Sequence, residues 1–345
     1  MSAEATIAET ARSKTVADIP PVDPGLLLVL DLIEKGNRFV VTGHMSPDGD
    51  VLGSMSALAL VLRRLGKEAV VFNRDPAPDK YAFLPLMDEL VNELPEGPFD
   101  AAFIVDCCEP ARVSPDFGEA MGDAKLVAID HHATPFDKVD FGFHDEKAAA
   151  TGVLIYRLAR TLGVHIDAEL GQGIFVALVT DTGNFRYSNA GPESFSIASD
   201  LVNVGVNPHA ISRHLYENEP MAKLKLLGEA LSRLELSHDG RIGWMLMPDG
   251  ALDHLGATPE MLDGAVDYGR QVAGVEVSCL IRRNDSDPTE FRLSLRSKGL
   301  VDVEAVAAKL GGGGHRMASG SRFKASSLED AAAQVRAHIE AALPD

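Results

Sequence analysis

Arg38-Phe39-Val40-Val41-Thr42-Gly43-His44-Met45-Ser46-Pro47-Asp48-Gly49-Asp50 is the stretch from which the fold can be read. Its first half is a short apolar, β-branched run of strand length. Its second half sets one imidazole and two carboxylates close together, and residues 51–65 follow with apolar side chains at helical spacing. A strand that ends in a polar turn and feeds a helix is the opening of an α/β unit. Outward from it, residues 68–73, 101–106 and 125–130 repeat the short apolar run, while 151–162, 168–179 and 191–205 read as helices, the last with Pro192 in its first turn. Such runs alternating with helices predict a parallel sheet covered by helices on both faces.

Past residue 205 the pattern changes. Residues 207–227 are polar and helical, 231–237, 242–247, 274–283 and 291–296 alternate like antiparallel strands, and helices follow at 303–310 and 328–343. The predicted fold class is α/β, with an N-terminal parallel-sheet domain over residues 25–195. A helical linker over 196–225 leads to a smaller α/β domain with a mixed sheet over 226–345, and residues 1–24 are a poorly ordered extension. Two domains suit 345 residues, more than one core usually serves.

At 46% hydrophobic and 24% charged residues the chain reads as an ordinary folded protein. Its start carries Glu4, Glu9, Asp18 and Asp23 and lacks the basic and apolar regions of a signal peptide. No apolar run is long enough to cross a bilayer, so the sequence predicts a cytoplasmic protein without a membrane partner. Cys107, Cys108 and Cys279 make no disulfide framework and read as buried small residues. The net charge of −19 argues against coating long nucleic acid. The charge is uneven, however. Nine Lys/Arg (Arg282, Arg283, Arg292, Arg296, Lys298, Lys309, Arg316, Arg322 and Lys324) against five acids leave +4 over residues 280–324 and −23 elsewhere. That suits a small anionic ligand.

The chemistry gathers at the strand ends. The run ending at His44 continues into Asp48 and Asp50, the second ends in Asp106, and the third in Asp130-His131-His132; Asp181 follows the apolar helical run 174–180. Ligands bind beyond the carboxyl ends of parallel strands. A single Asp there is usually a turn or cap residue, and Asp48-Gly49-Asp50 alone reads as an Asx-turn. Four coincidences favour chemistry. Carboxylates and imidazoles so gathered call for a cation. Oxygen and nitrogen donors without thiolates suit Mn²⁺, with Mg²⁺ or Co²⁺ as substitutes. The donors are too many for one ion. A carboxylate bridging two ions about 3.5–4 Å apart would hold a hydroxide for in-line attack on phosphorus.

His44-x-x-x-Asp48-x-Asp50, Asp106, Asp130-His131-His132 and Thr180-Asp181-Thr182-Gly183-Asn184-Phe185 resemble the four motifs of the DHH phosphoesterase family. Gly312-Gly313-Gly314-His315-Arg316-Met317-Ala318-Ser319-Gly320 resembles the glycine-rich signature of its associated C-terminal domain. Spacing, Pro78-Asp79-Lys80-Tyr81-x-Phe83-Leu84-Pro85 and Phe185-Arg186-Tyr187-Ser188-Asn189 are similar to the short stand-alone members of the nano-RNase type. These hydrolyse short oligoribonucleotides and 3′-phosphoadenosine 5′-phosphate.

The resemblance implies one metal on His44, Asp48 and Asp106 and a second on Asp50, Asp106, His131 and Asp181, Asp106 bridging. It implies that Asp130 orients the neighbouring imidazoles and that His132, free of metal, binds phosphate or protonates the leaving oxygen. Read as residues, Gly311 to Gly314 fit either a helix stop or a phosphate-binding backbone, with His315 and Arg316 adding charge. Their basic setting favours phosphate. Arg296 is expected on the same ligand, whereas for Arg282 and Arg283 a solvated strand edge fits as well. Arg186 fits either substrate contact or a structural ion pair. Trp244 reads as core. His144, His165, His209, His214, His238, His254 and His338 read as surface or cap residues.

The expected activity is hydrolysis of short oligoribonucleotides and small nucleotides, with a clamp from the C-terminal domain that admits only a few nucleotides. Cleavage of cyclic dinucleotides or their linear products is the alternative, although the membrane and sensor segments of the large members are missing. A non-catalytic nucleotide sensor would have lost a ligand, and none is lost. A homodimer is compatible with the sequence.

Overall fold

In the computed structural model, residues 23–344 are described, apart from 134, 135, 238, 285 and 286. Residues 1–22 of the expected extension and His238 thus lie outside the described residues. Asp23 caps the first helix, its carboxylate accepting from Leu26 N at 3.0 Å. The chain divides into two compact units, residues 1–218 and 219–345.

The first unit holds a five-stranded parallel sheet in the order β2-β1-β3-β4-β5: β1 Arg38–Gly43, β2 Glu68–Val71, β3 Ala101–Val105, β4 Lys125–Asp130 and β5 Phe141–His144. Side chains alternate across the sheet. Phe39, Val41, Phe103, Val105 and Ile129 enter the larger core, under α1 Pro24–Lys35, α2 Gly49–Arg64, α5 Thr151–Thr161 and α6 Ala168–Asp181. Val40, Ala102 and Ile104 point to the other face, into a smaller core with Phe72, Val113 and Phe117 at the short helices α3 Pro110–Val113 and α4 Phe117–Ala120. Both faces are covered, as the apolar runs predict. The edge strand β5 was not anticipated: only Phe143 of its four residues is buried, so its sequence lacks an apolar run.

Helix α2 is buried along 14 of its 16 residues, which is why its sequence is apolar nearly all round. It meets α6 through glycine. A Cβ on Gly53 would stand 2.4 Å from Gly173 O, and one on Gly49 would stand 2.4 Å from a Thr180 methyl carbon. The two backbones touch, and the antiparallel run brings the start of α2 beside the end of α6. Helices α7 Pro192–Asn203 and α8 Pro208–Tyr216 also fall in this unit.

The second unit opens with α9 Met221–Ser232 and carries a six-stranded mixed sheet, β10-β11-β9-β8-β7-β6, from β6 Leu234–Leu236, β7 Ile242–Leu246, β8 Val277–Arg283, β9 Glu290–Ser297, β10 Gly313–His315 and β11 Ala318–Lys324. The sheet is mixed, as expected: its neighbours pair antiparallel except β7 and β8, which pair in parallel. Helices α10 Ala251–Leu255 and α11 Ala265–Arg270 carry the chain back between them, as a parallel pair requires. Phe291, Leu293 and Leu295 of β9 pack with Trp244 and with Val306 of α12 Val303–Ala308 and Val335 of α13 Leu328–Glu340. Leu280 enters a separate core with Leu226, Met245 and Val266. Among the described residues no helix is long and apolar enough to cross a membrane.

Candidate metal centre

Each acid and imidazole of the first unit's motifs owes its place to an element end. His44 follows β1, and the Asn73 amide donates to its carbonyl at 3.0 Å. Asp48 caps α2: one carboxylate oxygen accepts from Asp50 N at 3.0 Å and Val51 N at 3.1 Å. The Asx-turn reading is therefore correct for that oxygen. Asp50, in the first turn, is buried. Asp106 closes β3 with φ +60°, a left-handed conformation that Asp tolerates better than most residues. Asp130 ends β4, His131 and His132 follow it, and Asp181 ends α6.

These residues converge. His44 Nε2 lies 3.7 Å from Asp106 Oδ2. His131 Nε2 lies 3.5 Å from Asp106 Oδ1, 3.6 Å from Asp50 Oδ2 and 3.7 Å from Asp181 Oδ2. Three groups, His44/Asp48/Asp106, Asp50/His131/Asp181 and Asp106/His131/His132, each place their ligand atoms within 4.8 Å of one another. The tautomers follow from acceptor-only partners. His44 Nδ1–H donates to Met45 O at 2.8 Å and His131 Nδ1–H to Ala148 O at 3.0 Å, which leaves each Nε2 facing the carboxylates, there to carry a proton or to meet a cation in its place. Buried His131 Nε2 has no hydrogen-bond partner among the described residues. An orphaned imidazole nitrogen among three carboxylates, all beyond hydrogen-bond distance, is an arrangement that a cation would complete.

The electrostatics agree. Burial, with Asp106 and Asp181 nearby, pushes Asp50 far above the usual carboxylate range. Burial likewise raises Asp181 to about 6, with Asp106 adding to it and His131 opposing. Burial also resists ionisation of Asp106, yet the His131 and His44 imidazoles hold it well below its ordinary value. For His131 burial disfavours the cation, but Asp106, Asp50 and Asp181 outweigh it and raise its pKa to about 10. His44 is raised against burial by Asp106, the Met45 carbonyl and Asp48.

Asp130 was expected to orient both imidazoles; it meets His132 only. Its Oδ1 accepts from His132 Nδ1 at 2.8 Å and from His132 N at 3.0 Å, and this contact is the largest cause of the raised His132 pKa. His131 is held instead by the Ala148 carbonyl. His144, read as a surface residue, bonds through Nε2 to His132 O at 2.7 Å.

Other supports escaped the sequence reading. Thr151 Oγ1 donates to Asp106 Oδ1 at 2.9 Å, while Thr151 N and Gly152 N donate to the two Asp50 oxygens at 2.7 and 3.1 Å. Ser54 Oγ donates to Asp50 at 3.0 Å, and the Asn189 amide reaches Asp181 Oδ2 at 3.3 Å. The start of α5 thus grips two carboxylates through groups that no spacing rule flags.

Arg186 is exposed, and its Nε donates to Gly183 O at 2.7 Å, so it curls onto its own turn. In the second unit the glycine-rich segment is first a helix stop and then a hairpin: Gly311, at φ +73°, and Gly312 donate through their N–H groups to Ala308 O and Ala307 O at 3.1 and 2.9 Å, after which Gly313 pairs Gly320, Gly314 pairs Ser319 and His315 pairs Ala318. His315 and exposed Arg316 flank its turn, the latter reaching Gly299 O at 3.4 Å. Arg296 is half-buried and pairs with Asp267 at 3.1 Å. Arg282 is buried, not on a solvated edge. Trp244 is core, and the three cysteines are buried and form no disulfide among the described residues.

Comparison with known proteins matches residues 38–178 to the DHH family, N-terminal domain, and residues 246–341 to the DHHA1 domain. The bifunctional oligoribonuclease and PAP phosphatase NrnA of Thermus thermophilus is 33% identical over 304 residues, 88% of this chain and 89% of that one. An exopolyphosphatase-related protein from Bacteroides fragilis has the same fold, at a TM-score of 0.86 and 24% identity, over 92% of this chain and 96% of that one. The exonuclease RecJ bound to manganese shares the fold more distantly, with a TM-score of 0.54 and 16% identity over 93% and 94% of the two chains.

Proposed function

The chain belongs to the DHH family, and we propose that it is a two-metal phosphoesterase that hydrolyses short oligoribonucleotides to mononucleotides and 3′-phosphoadenosine 5′-phosphate to AMP. The observation that carries the two-metal reading is the divided attention of Asp106, one oxygen facing His44 and the other His131. His44, Asp48 and Asp106 would hold one ion, and Asp50, Asp106, His131 and Asp181 the other. Mn²⁺ suits these donors, with Mg²⁺ or Co²⁺ as substitutes. When bound, the ions supply positive charge to the phosphate oxygens and lower the pKa of the attacking water.

The chain's own residues do the rest. Asp130 fixes the His132 tautomer and favours its protonated form, so that the ring can bind the phosphate or give a proton to the leaving oxygen. Arg296, the backbone of Gly312, Gly313 and Gly314, His315 and Arg316 supply phosphate contacts from the second unit, and Arg186 supplies one from the first. Arg296 must share its charge with Asp267.

The test is turnover by the purified chain, with Mn²⁺ and with EDTA, of dinucleotides, five- and 24-nucleotide RNA, 3′-phosphoadenosine 5′-phosphate and cyclic dinucleotides. Turnover of the dinucleotides and 3′-phosphoadenosine 5′-phosphate, lost in EDTA, is the expected result. Full activity in exhaustively chelated buffer overturns the metal reading, and a preference for cyclic dinucleotides replaces the substrate reading.

A further inference from the structure

Three arginines stand abreast in the second unit's sheet. Arg282 on β8 is the register partner of Arg292 on β9, which is in turn the partner of Arg322 on β11. Neighbouring strands are about 4.8 Å apart, so three guanidinium stems are anchored within about 10 Å. Like charges directly opposed weaken a sheet, so this row has a cost that the fold must offset. Asp263 and Glu260 offset part of it, two carboxylates against three cations. Asp263 is a poor counter-ion, because burial and then Glu260 raise its pKa. Arg292 is pushed below its usual range by burial, then by Arg322 and Arg282. Among the described residues no hydrogen bond or ion pair holds the Arg292 or Arg322 side chain.

The row lines a cavity of about 600 Å³, together with Asp263, Ser294 and Gly312. That volume lies within the roughly 300–1,000 Å³ of small-ligand sites. Guanidinium forks match phosphate oxygens in pairs.

We propose that Arg282, Arg292 and Arg322 form an anion site for a nucleotide phosphate, built from side chains other than Arg296, His315 and Arg316. The choice of a nucleotide as the phosphate carrier rests on the phosphoesterase reading. The phosphate has two sources: a further phosphate of a bound oligonucleotide, or a free mononucleotide.

Calorimetry on the full chain in EDTA tests the site without turnover, so its failure is distinguishable from a failure of the activity assays. AMP should bind wild-type protein, and Arg292→Gln and Arg322→Gln should each weaken it ten-fold or more with the thermal midpoint unchanged. Lys35→Gln, on α1, should bind AMP as wild type does. Arg322 is exposed, so its replacement leaves the core intact. AMP displaced by a saturating five-nucleotide RNA assigns the site to the oligonucleotide's own phosphate; AMP still binding beside it assigns the site to a free nucleotide. No AMP uptake by the wild type, or uptake by both arginine variants equal to it, overturns the proposal.

Discussion

Thr151 Oγ1 donates to Asp106 Oδ1 across 2.9 Å, joining the first residue of α5 to the carboxylate that ends β3. A hydrogen bond to a charged group contributes about 1.5–3 kcal/mol, and a buried carboxylate oxygen left without it is destabilised. Thr151→Val should weaken Mn²⁺ binding about ten-fold or more, and Thr151→Ser should restore it. Calorimetric titration checks this; a valine variant that binds like wild type removes Thr151 from the support of the site.

Asp106→Ala should be the most damaging single change, because its two oxygens face different imidazoles. The expected result is a fall in bound Mn²⁺ below two equivalents together with loss of activity. Two equivalents bound normally would show that Asp106 does not bridge.

His132→Ala should keep both equivalents yet lower kcat by about 10²–10⁴, the usual contribution of a positioned proton donor. A drop in metal content instead would make His132 a ligand, as its grouping with Asp106 and His131 also allows.

Metal uptake should release protons. His131, raised to about 10 without metal, is largely protonated at pH 7, and Asp50 is raised as well. His131 must lose its proton to bind a cation. Affinity for Mn²⁺ should therefore rise with pH between 6 and 8, and titrations in buffers of different ionisation enthalpy should count at least one proton released. A pH-independent affinity contradicts the arrangement.

Substrate length is the last test. With −23 outside residues 280–324, most of the chain repels a long polyanion. Turnover should fall steeply with length, two- to five-nucleotide RNA far exceeding the 24-nucleotide. Arg316→Ala should raise KM for dinucleotides about ten-fold with metal content unchanged. Equal rates at both lengths, or an unaltered KM, would end the idea that Arg316 holds a substrate phosphate.

The parallel sheet and the strand-end acids were legible because apolar runs and polar endings lie next to each other in sequence. The supports of those acids were not. Thr151 and Asp50 are 101 residues apart, and the contact is partly main-chain. His131 is held by a carbonyl, which has no sequence signature. The β10–β11 hairpin was missed because glycine has no side chain with which to show a period of two. Alternation looks the same in either direction, so a mixed sheet could be expected without saying that β7 and β8 are the parallel pair. The arginine row is visible only once register aligns three strands; in sequence its members are ten and thirty residues apart.

The contact of Gly53 with Gly173 reaches beyond packing. Asp50 and Asp181 sit at the near ends of two helices whose spacing these glycines set, so α2 and α6 act as a caliper for the carboxylates. A methyl group added at Gly53, a full turn from Asp50, would force the jaws apart. Every ligand would remain, and the gap between them would be wrong. The distance between two carboxylates is thus encoded in residues that have no side chain.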